Sequence, residues 1–423
     1  MTTKASAPSS STLEVLRSLW PLYLAYALSQ LGNWMFRAGA VYEIFDKQGG
    51  AGSLLGWTIM CVYVPIMIGG KWLAPLSDRF RSVPLLIVLD IICSLLLIPL
   101  LIWADMGDSS QVIIALGVII GLSFLNPLFT AAQSSMFRRL KTQQVVPAMS
   151  LLSNITWATH IVGTMFGSLL LILLSFRIIV LIDIFSFVLS FGILALWLRP
   201  QVPSIAGDAL KEPESSPPSL SAVKVKWILL VSVFFLNLGA GVINLFPAAA
   251  ARSIYHMDQA GLSLFYLVNG ISAFAGTMLI GRLRKKIADF QLLAASSLLI
   301  AVSLFAMSWF PSLSFSIVAS SSMLLFGQIF GVVAHSFLLT SHRPEQAGRT
   351  SGLFMSCTFL GVAVNAALFA LFFKTVQTEP FSLFMQACGG FSLISFIIIT
   401  VHELKKRQSR PSKYDAETQN ISK

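Results

Sequence analysis

The chain predicts an all-α polytopic membrane protein with 12 transmembrane helices arranged as two six-helix bundles. Three observations carry that prediction. Charged residues are held to 11% of the 423 residues while hydrophobic ones reach 56%, a balance that a water-soluble domain of this size would not keep. About twelve apolar stretches of roughly 20 residues follow one another, and a hydrocarbon core of about 30 Å needs about that many helical residues to cross it. In lipid the backbone must satisfy its own hydrogen bonds, so each stretch has to be a helix. Finally, one polar segment divides the stretches six and six.

In the first half the spans are predicted near 20–44, 54–76, 84–103, 112–132, 150–174 and 178–198. The second half gives 227–250, 262–280, 290–309, 315–338, 350–372 and 380–402, and its last spans are rich in Gly, Ser and Phe, which suits close helix packing. Between the halves, 199–226 carries Pro200, Pro203, Pro213, Pro217 and Pro218 with Glu212, Glu214 and several serines. Nothing there can build a core, so it reads as a flexible linker. The expected organisation is therefore a first bundle over 1–198, a cytoplasmic linker over 199–226, a second bundle over 227–402 and a cytoplasmic tail over 403–423. A weak internal repeat supports two bundles facing each other across a central cavity. Asp78-Arg79-Phe80-Arg81 follows the second span, and Gly281-Arg282-Leu283-Arg284-Lys285-Lys286 follows the eighth.

Loop charges set the expected orientation. With the N-terminus inside, cytoplasmic segments hold 23 of the 29 Lys and Arg, including Arg79, Arg81, Arg138, Arg139, Lys141, Arg282, Lys285 and Lys405. The outer loops hold Lys47, Arg177, Arg252 and Lys374, and Arg37 and Lys71 fall within spans. The positive-inside rule then places both termini in the cytoplasm. The net charge of +11 needs no nucleic-acid partner: it is the inside charge of a membrane protein, with a basic tail facing anionic headgroups. Residues 1–12 lack an apolar core followed by a cleavage site, so no removable signal peptide is expected. Cys61, Cys93, Cys357 and Cys388 all fall within spans without a Cys-x-x-Cys or Cys/His cluster, which argues against a disulfide framework or metal site.

Several stretches resemble the major facilitator superfamily, and within it the drug-efflux branch that includes macrolide and siderophore exporters. They are Ser29-Gln30-Leu31-Gly32-Asn33-Trp34 in span one, Pro75-Leu76-Ser77-Asp78-Arg79-Phe80 after span two with Asp90 in span three, and Asn126-Pro127-Leu128-Phe129 in span four. Ile182-Asp183-Ile184-Phe185-Ser186-Phe187 in span six and Gly348-Arg349 before span eleven complete the set. The resemblance implies a major facilitator fold and alternating access. It also implies a latch at the cytoplasmic gate built on Asp78, Arg79 and Asp90, since an acid beside the end of a neighbouring helix can hold two helices together. Here Ala74 stands where the family has Gly, and the basic run is reduced to Arg81-Ser82-Val83-Pro84. Proton-coupled exporters carry Gly-Pro-x-x-Gly-Gly in span five. This chain keeps Gly163 and Gly167 but has Thr164 and Ser168 in place of Pro and the final Gly, and a close seam there would seal the cavity against proton leak. Span four lacks the Arg of many antiporters, and Gly32-Asn33 replaces the family's Gly-Asp, so a proton would have to be carried elsewhere.

Ionisable groups inside a bilayer normally face a cavity or a partner. At 100° per residue, Tyr23, Gln30, Asn33 and Arg37 fall within an arc of about 80° on span one. Arg37 keeps its charge, so it cannot carry the proton; it can bind an anionic or zwitterionic ligand, or pair with an acid. Buried in a fixed ion pair it would be purely structural. The proton-coupling candidates are Asp90, Asp183, Glu43 and His160, with His335 as a further titratable residue. Asn237 and Asn244, together with Asn269 and Asn365, could line the second half of the cavity, and 32 Phe with 9 Trp suit a bulky amphipathic ligand. Buried packing is the plainer role for each of these groups.

The expectation is a secondary transporter, a monomer without cofactors in a bacterial inner membrane, which expels a drug, peptide antibiotic or siderophore in exchange for protons. An uptake or facilitative carrier, or a lysophospholipid flippase, fits the same fold. No metal spacing, nucleophile elbow or phosphate loop points to an enzyme or a primary pump.

Overall fold

The computed structural model describes residues 9–47, 52–103, 109–137, 142–198, 220–246, 254–255, 259–310, 312–341, 346–373 and 378–408. Within them lie twelve long helices. The first six are α1 (Ser9–Lys47), α2 (Gly52–Trp72), α3 (Ser82–Trp103), α4 (Ser109–Phe137), α5 (Thr142–Leu173) and α6 (Phe176–Ile193). The second six are α7 (Leu220–Ala240), α8 (Gln259–Leu283), α9 (Asp289–Trp309), α10 (Leu313–Thr340), α11 (Ala347–Phe372) and α12 (Thr378–Gln408). Eight of them, α3, α4, α6, α7 and α9 to α12, are long and apolar enough over their described residues to cross a membrane. The other four, α1, α2, α5 and α8, contain 39, 21, 32 and 25 residues and carry much of the polar and small-residue contact described below.

Several helices run past the apolar windows that locate them. Helix α1 begins at Ser9 rather than near residue 20, and α12 continues to Gln408 through Lys405 and Lys406, into the expected tail. Helix α7 starts at Leu220, so the last seven residues of the expected linker are helical; 199–219 and 409–423 lie outside the described residues. Hydropathy marks only the part of a helix that must sit in lipid, whereas a helix already nucleated extends at one hydrogen bond per residue.

The packing repeats itself. In the first half α1 packs on α5 and α6, α2 on α4, and α3 on α4 and α6. In the second, α7 packs on α11 and α12, α8 on α10, and α9 on α10 and α12. Adding six to each label of the first set gives the second. The two principal contacts between halves, α2 with α11 and α5 with α8, exchange under the same operation. Each half has its own apolar core: Phe36, Leu97, Ile119 and Val180 in the first, Phe265, Ile300, Phe330 and Phe369 in the second. A third cluster joins Leu19, Leu22, Tyr23 and Phe137 to Leu339 and Ala347, tying the halves together on the face that bears Asp78.

The α2–α11 seam depends on missing side chains. A Cβ on Gly70 would stand 2.8 Å from the Gly352 carbonyl oxygen, and one on Gly56 would stand 2.7 Å from the Ala370 Cβ. Ser356 Oγ donates to the Met67 carbonyl at 2.8 Å across the same seam. Only small residues let two backbones approach this closely in a membrane helix pair.

Candidate functional site

Three buried ionisable side chains occupy the first bundle. Arg37 of α1 is 8% exposed, Asp90 of α3 1% and Asp183 of α6 0%. Arg37 Nε donates to Asn33 Oδ1 at 2.9 Å, one turn back on the same helix, and the guanidinium lies 5.8 Å from the Trp34 ring centre. Ser190 Oγ donates to Asp90 Oδ2 at 2.6 Å, which ties α6 to α3. Asp183 sits against α1, where a Cβ on Gly32 would come within 2.6 Å of its Oδ1. It is within electrostatic reach of Arg37. Arg37 Nη2, Asp90 Oδ1 and Asp183 Oδ2 have no hydrogen-bond partner among the described residues. Desolvating a charge costs several kcal/mol unless partners compensate, so these groups mark a place where the fold carries an electrostatic load.

Beside them, the halves meet through polar side chains. Tyr63 of α2 donates its hydroxyl to Asn244 Oδ1 at 2.6 Å and stacks on Phe359 of α11 at 5.2 Å. It lies within electrostatic reach of Arg37 and of Tyr266 on α8. Asn244 is presented by a 3-10 turn, Gly241–Asn244, where α7 loses its regular hydrogen bonding. Irregular backbone at membrane depth is tolerated where protein or a cavity covers it. On the other seam, Thr277 of α8 donates to Asn154 of α5, and Ser153 donates to Gln328 of α10 at 3.3 Å.

On the Asp78 face, the carboxylate of Asp78 accepts hydrogen bonds from Gly348 N at 2.8 Å and Arg349 N at 3.1 Å. These are first-turn N–H groups of α11, where orphan donors and the helix dipole both favour an anion. Partial burial raises the Asp78 carboxyl above its ordinary value, opposed by those two N–H groups. Next to it, Ser351 of α11 bonds His335 Nε2 at 2.9 Å and Ser134 of α4 at 3.1 Å. His335 also stacks on Phe354 at 4.5 Å. A Cβ on Gly348 would stand 2.7 Å from Asp78 Oδ1, so this contact needs glycine there.

The remaining candidates divide by depth and partner. Tyr23 shares a helix face with Arg37, but 14 residues of α1 place it about 21 Å away along the axis. It is buried against Phe137, its hydroxyl donating to the Ala148 carbonyl at 3.4 Å. Gln30 is half-buried between them. Asp90 lies within the first bundle on Ser190 rather than on the Asp78 contact, and Arg79 is exposed. Gly163 and Gly167 bring α5 against α1: added Cβ atoms would lie 2.7 Å from Trp34 Cβ and 2.6 Å from the Met35 carbonyl oxygen. His160 is wedged between Trp34 and Trp157, with ring centres 4.1 and 5.0 Å away. Asn237 donates to the Val233 carbonyl of its own helix at 2.8 Å. Asn269 accepts from Ser320 at 2.9 Å, and Asn365 donates to the Leu238 carbonyl at 2.8 Å, both within the second bundle. The side chain of Glu43 lies outside the described residues. Sequence reasoning missed Tyr63, Trp157, Ser351 and the Gly70–Gly352 crossing. A lone Tyr in an apolar run carries no sign of facing the seam, although spaced small residues in spans two and eleven were a usable signal.

Two pseudo-symmetric helical bundles, joined by a small-residue seam and enclosing buried ionisable side chains beside it, define an integral-membrane carrier. The chain belongs to the Major Facilitator Superfamily, whose model matches residues 22–366. It is 24% identical over 189 residues to an uncharacterized MFS-type transporter, YceJ, of Bacillus subtilis (strain 168); that stretch is 43% of this chain and 46% of the relative's length. Its fold is similar to the crystal structure of a bacterial homologue of the iron transporter ferroportin in its outward-facing state. The TM-score is 0.68 at 14% identity, covering 90% of this chain and 98% of the other. The human organic anion transporter MFSD10 is similar too, with a TM-score of 0.67 at 13% identity, covering 93% of this chain and 100% of the other.

Proposed function

We propose that this carrier expels a small amphipathic molecule across a bacterial inner membrane in exchange for protons, by alternating access. The observation that supports it best is the contrast between cores and seams. Each bundle is built around its own apolar cluster, and beside the small-residue α2–α11 seam and the apolar contact of Leu22 and Phe137 with Leu339 the bundles meet through separable polar contacts at Asp78, Ser134–Ser351 and Tyr63–Asn244. Two rigid bodies joined this way can rock about a ligand held between them. In this reading the ligand lies beside Arg37, Asn33, Gln30 and Asn244, and Tyr63 joins that set.

In this reading the Asp78 face is cytoplasmic together with both termini, as the concentration of Lys and Arg in its loops supports. The latch of Asp78 on α11 then closes the inner side, and its release opens it. Asp183 and Asp90 are the favoured proton carriers, since both are buried acids with an unpartnered oxygen; His160 and Glu43 are the alternatives. Lipid headgroups meet the basic end of α12.

Proton release from energised inside-out vesicles tests this, using a panel of amphipathic compounds and an Arg37→Ala control. A compound that dissipates the pH gradient only with the wild-type protein sustains the reading. Equilibration of labelled solutes or lysolipids with no proton movement replaces it with a facilitator or flippase.

A further inference from the structure

We infer that Arg37, Trp34 and His160 form a subsite for a carboxylate group on the transported molecule; this rests on the carrier reading above. These three side chains form one continuous run of contacts. The Arg37 guanidinium lies 5.8 Å from the Trp34 ring centre, and the Trp34 ring lies 4.1 Å from that of His160. Each has a buried hydrogen-bonding atom with no partner among the described residues: Arg37 Nη2, Trp34 Nε1 and His160 Nδ1. Indole N–H and guanidinium N–H groups only donate, and a neutral imidazole can turn its N–H to Nδ1. Buried polar atoms are nearly always satisfied, so a contiguous set of unmet donors implies a ligand that accepts.

The charge of that ligand follows from its surroundings. Arg37 spends Nε on Asn33 and leaves Nη2 unmet. Asp183 is the acid within electrostatic reach, but it packs against Gly32, which is about 140° around α1 from Arg37. Trp34 lies on the opposite flank of Arg37 from Gly32. No ion pair joins Arg37 to Asp183 among the described residues; Tyr63 also lies in reach, its hydroxyl already given to Asn244. The flank carrying Trp34 and His160 thus offers donors and a positive charge with no carboxylate of the protein's own. A planar carboxylate suits the guanidinium fork, and charge-assisted bonds in a dry site are the strong ones.

Isothermal titration of the full chain in nanodiscs against benzoate and benzamide, with empty nanodiscs as blank, tests the assignment. Benzoate is expected to bind at least tenfold more tightly than benzamide. Arg37→Gln should erase that preference, Arg37→Lys should keep part of it, and Trp34→Phe should weaken benzoate about threefold while sparing benzamide. Benzamide binding within twofold of benzoate, or a preference that survives Arg37→Gln, overturns the assignment. If Arg37→Gln proves unstable by melting temperature, unchanged benzoate affinity in both Arg37→Lys and Trp34→Phe overturns it equally. Benzoate binding without proton release in vesicles would sink the export reading and leave this subsite standing; proton release by cationic compounds with no benzoate preference would do the reverse.

Discussion

Replacing Gly352 with Ala adds one methyl group where the backbones of α2 and α11 cross with no side chain between them. That Cβ would stand 2.6 Å from Ala74 Cβ and closer still to the carbonyl oxygen of Gly70. Neither obstacle is the tip of a flexible side chain: one is backbone, and the other is a Cβ fixed to it. Relief therefore requires α2 and α11 to part by about 1 Å, since carbon atoms prefer about 3.5–4.0 Å. Overpacking of this kind costs about 1–3 kcal/mol. If that cost falls only on the closed arrangement of the Asp78 face, the closed-to-open ratio drops by about 5–150-fold. The assay is a pulsed electron-paramagnetic distance measurement between spin labels at Arg81→Cys and Lys285→Cys, with the four native cysteines replaced by serine. Both label sites are exposed, one on each bundle. Gly281→Ala is the control, because a Cβ there meets nothing within 4 Å. Gly352→Ala should add a longer-distance population that the control lacks. Identical distributions in the two variants would refute the idea that this crossing holds the face shut.

Other perturbations give separate outcomes. Asp78→Ala removes the acceptor of the Gly348 and Arg349 N–H groups at the start of α11, and should shift the same distances outward at a cost of about 0.5–2 kcal/mol. Because burial raises the Asp78 carboxyl in the latched form, that form holds a proton to higher pH than a freely solvated aspartate would. Protonation should therefore favour the latch at low pH, and this contribution should fade as pH rises through the raised value; distances recorded from pH 4 to 7 check the sign. Tyr63→Phe removes the 2.6 Å bond to Asn244 and should lower the unfolding free energy by about 1–3 kcal/mol, read by thermal melting. Ser190→Ala deprives buried Asp90 of its donor and should cost a similar 1–3 kcal/mol. Arg284→Ala breaks the two 2.7 Å bonds to Asp289, but that pair is part-exposed, so the loss should stay below about 1 kcal/mol.

The helices were legible because lipid leaves the backbone no alternative, and the split into six and six followed from the proline-rich stretch. Depth was less legible. Tyr23 and Arg37 share a helix face, yet a face says nothing about height, and the two end in different clusters. Asp78 was legible as an acid set against the end of a neighbouring helix, because the stretch around it resembles the superfamily's loop after span two. Its partner was not, since backbone N–H groups carry no signature in sequence. Asp90 was read with Asp78 because it resembles a family position next to that loop, but α3 carries it inward to Ser190. Tyr63 was invisible because its neighbours, Val62 and Val64, are as apolar as any lipid-facing run.

The add-six rule of the packing bears on how the chain is made. Among the described residues, α1–α6 and α7–α12 each close their own core, and they join side by side rather than by threading one through the other. Chain order is then incidental to the architecture. Two separately translated fragments, cut between 198 and 220, should find each other in the bilayer and reconstitute the carrier, and so should a version with the halves in reverse order.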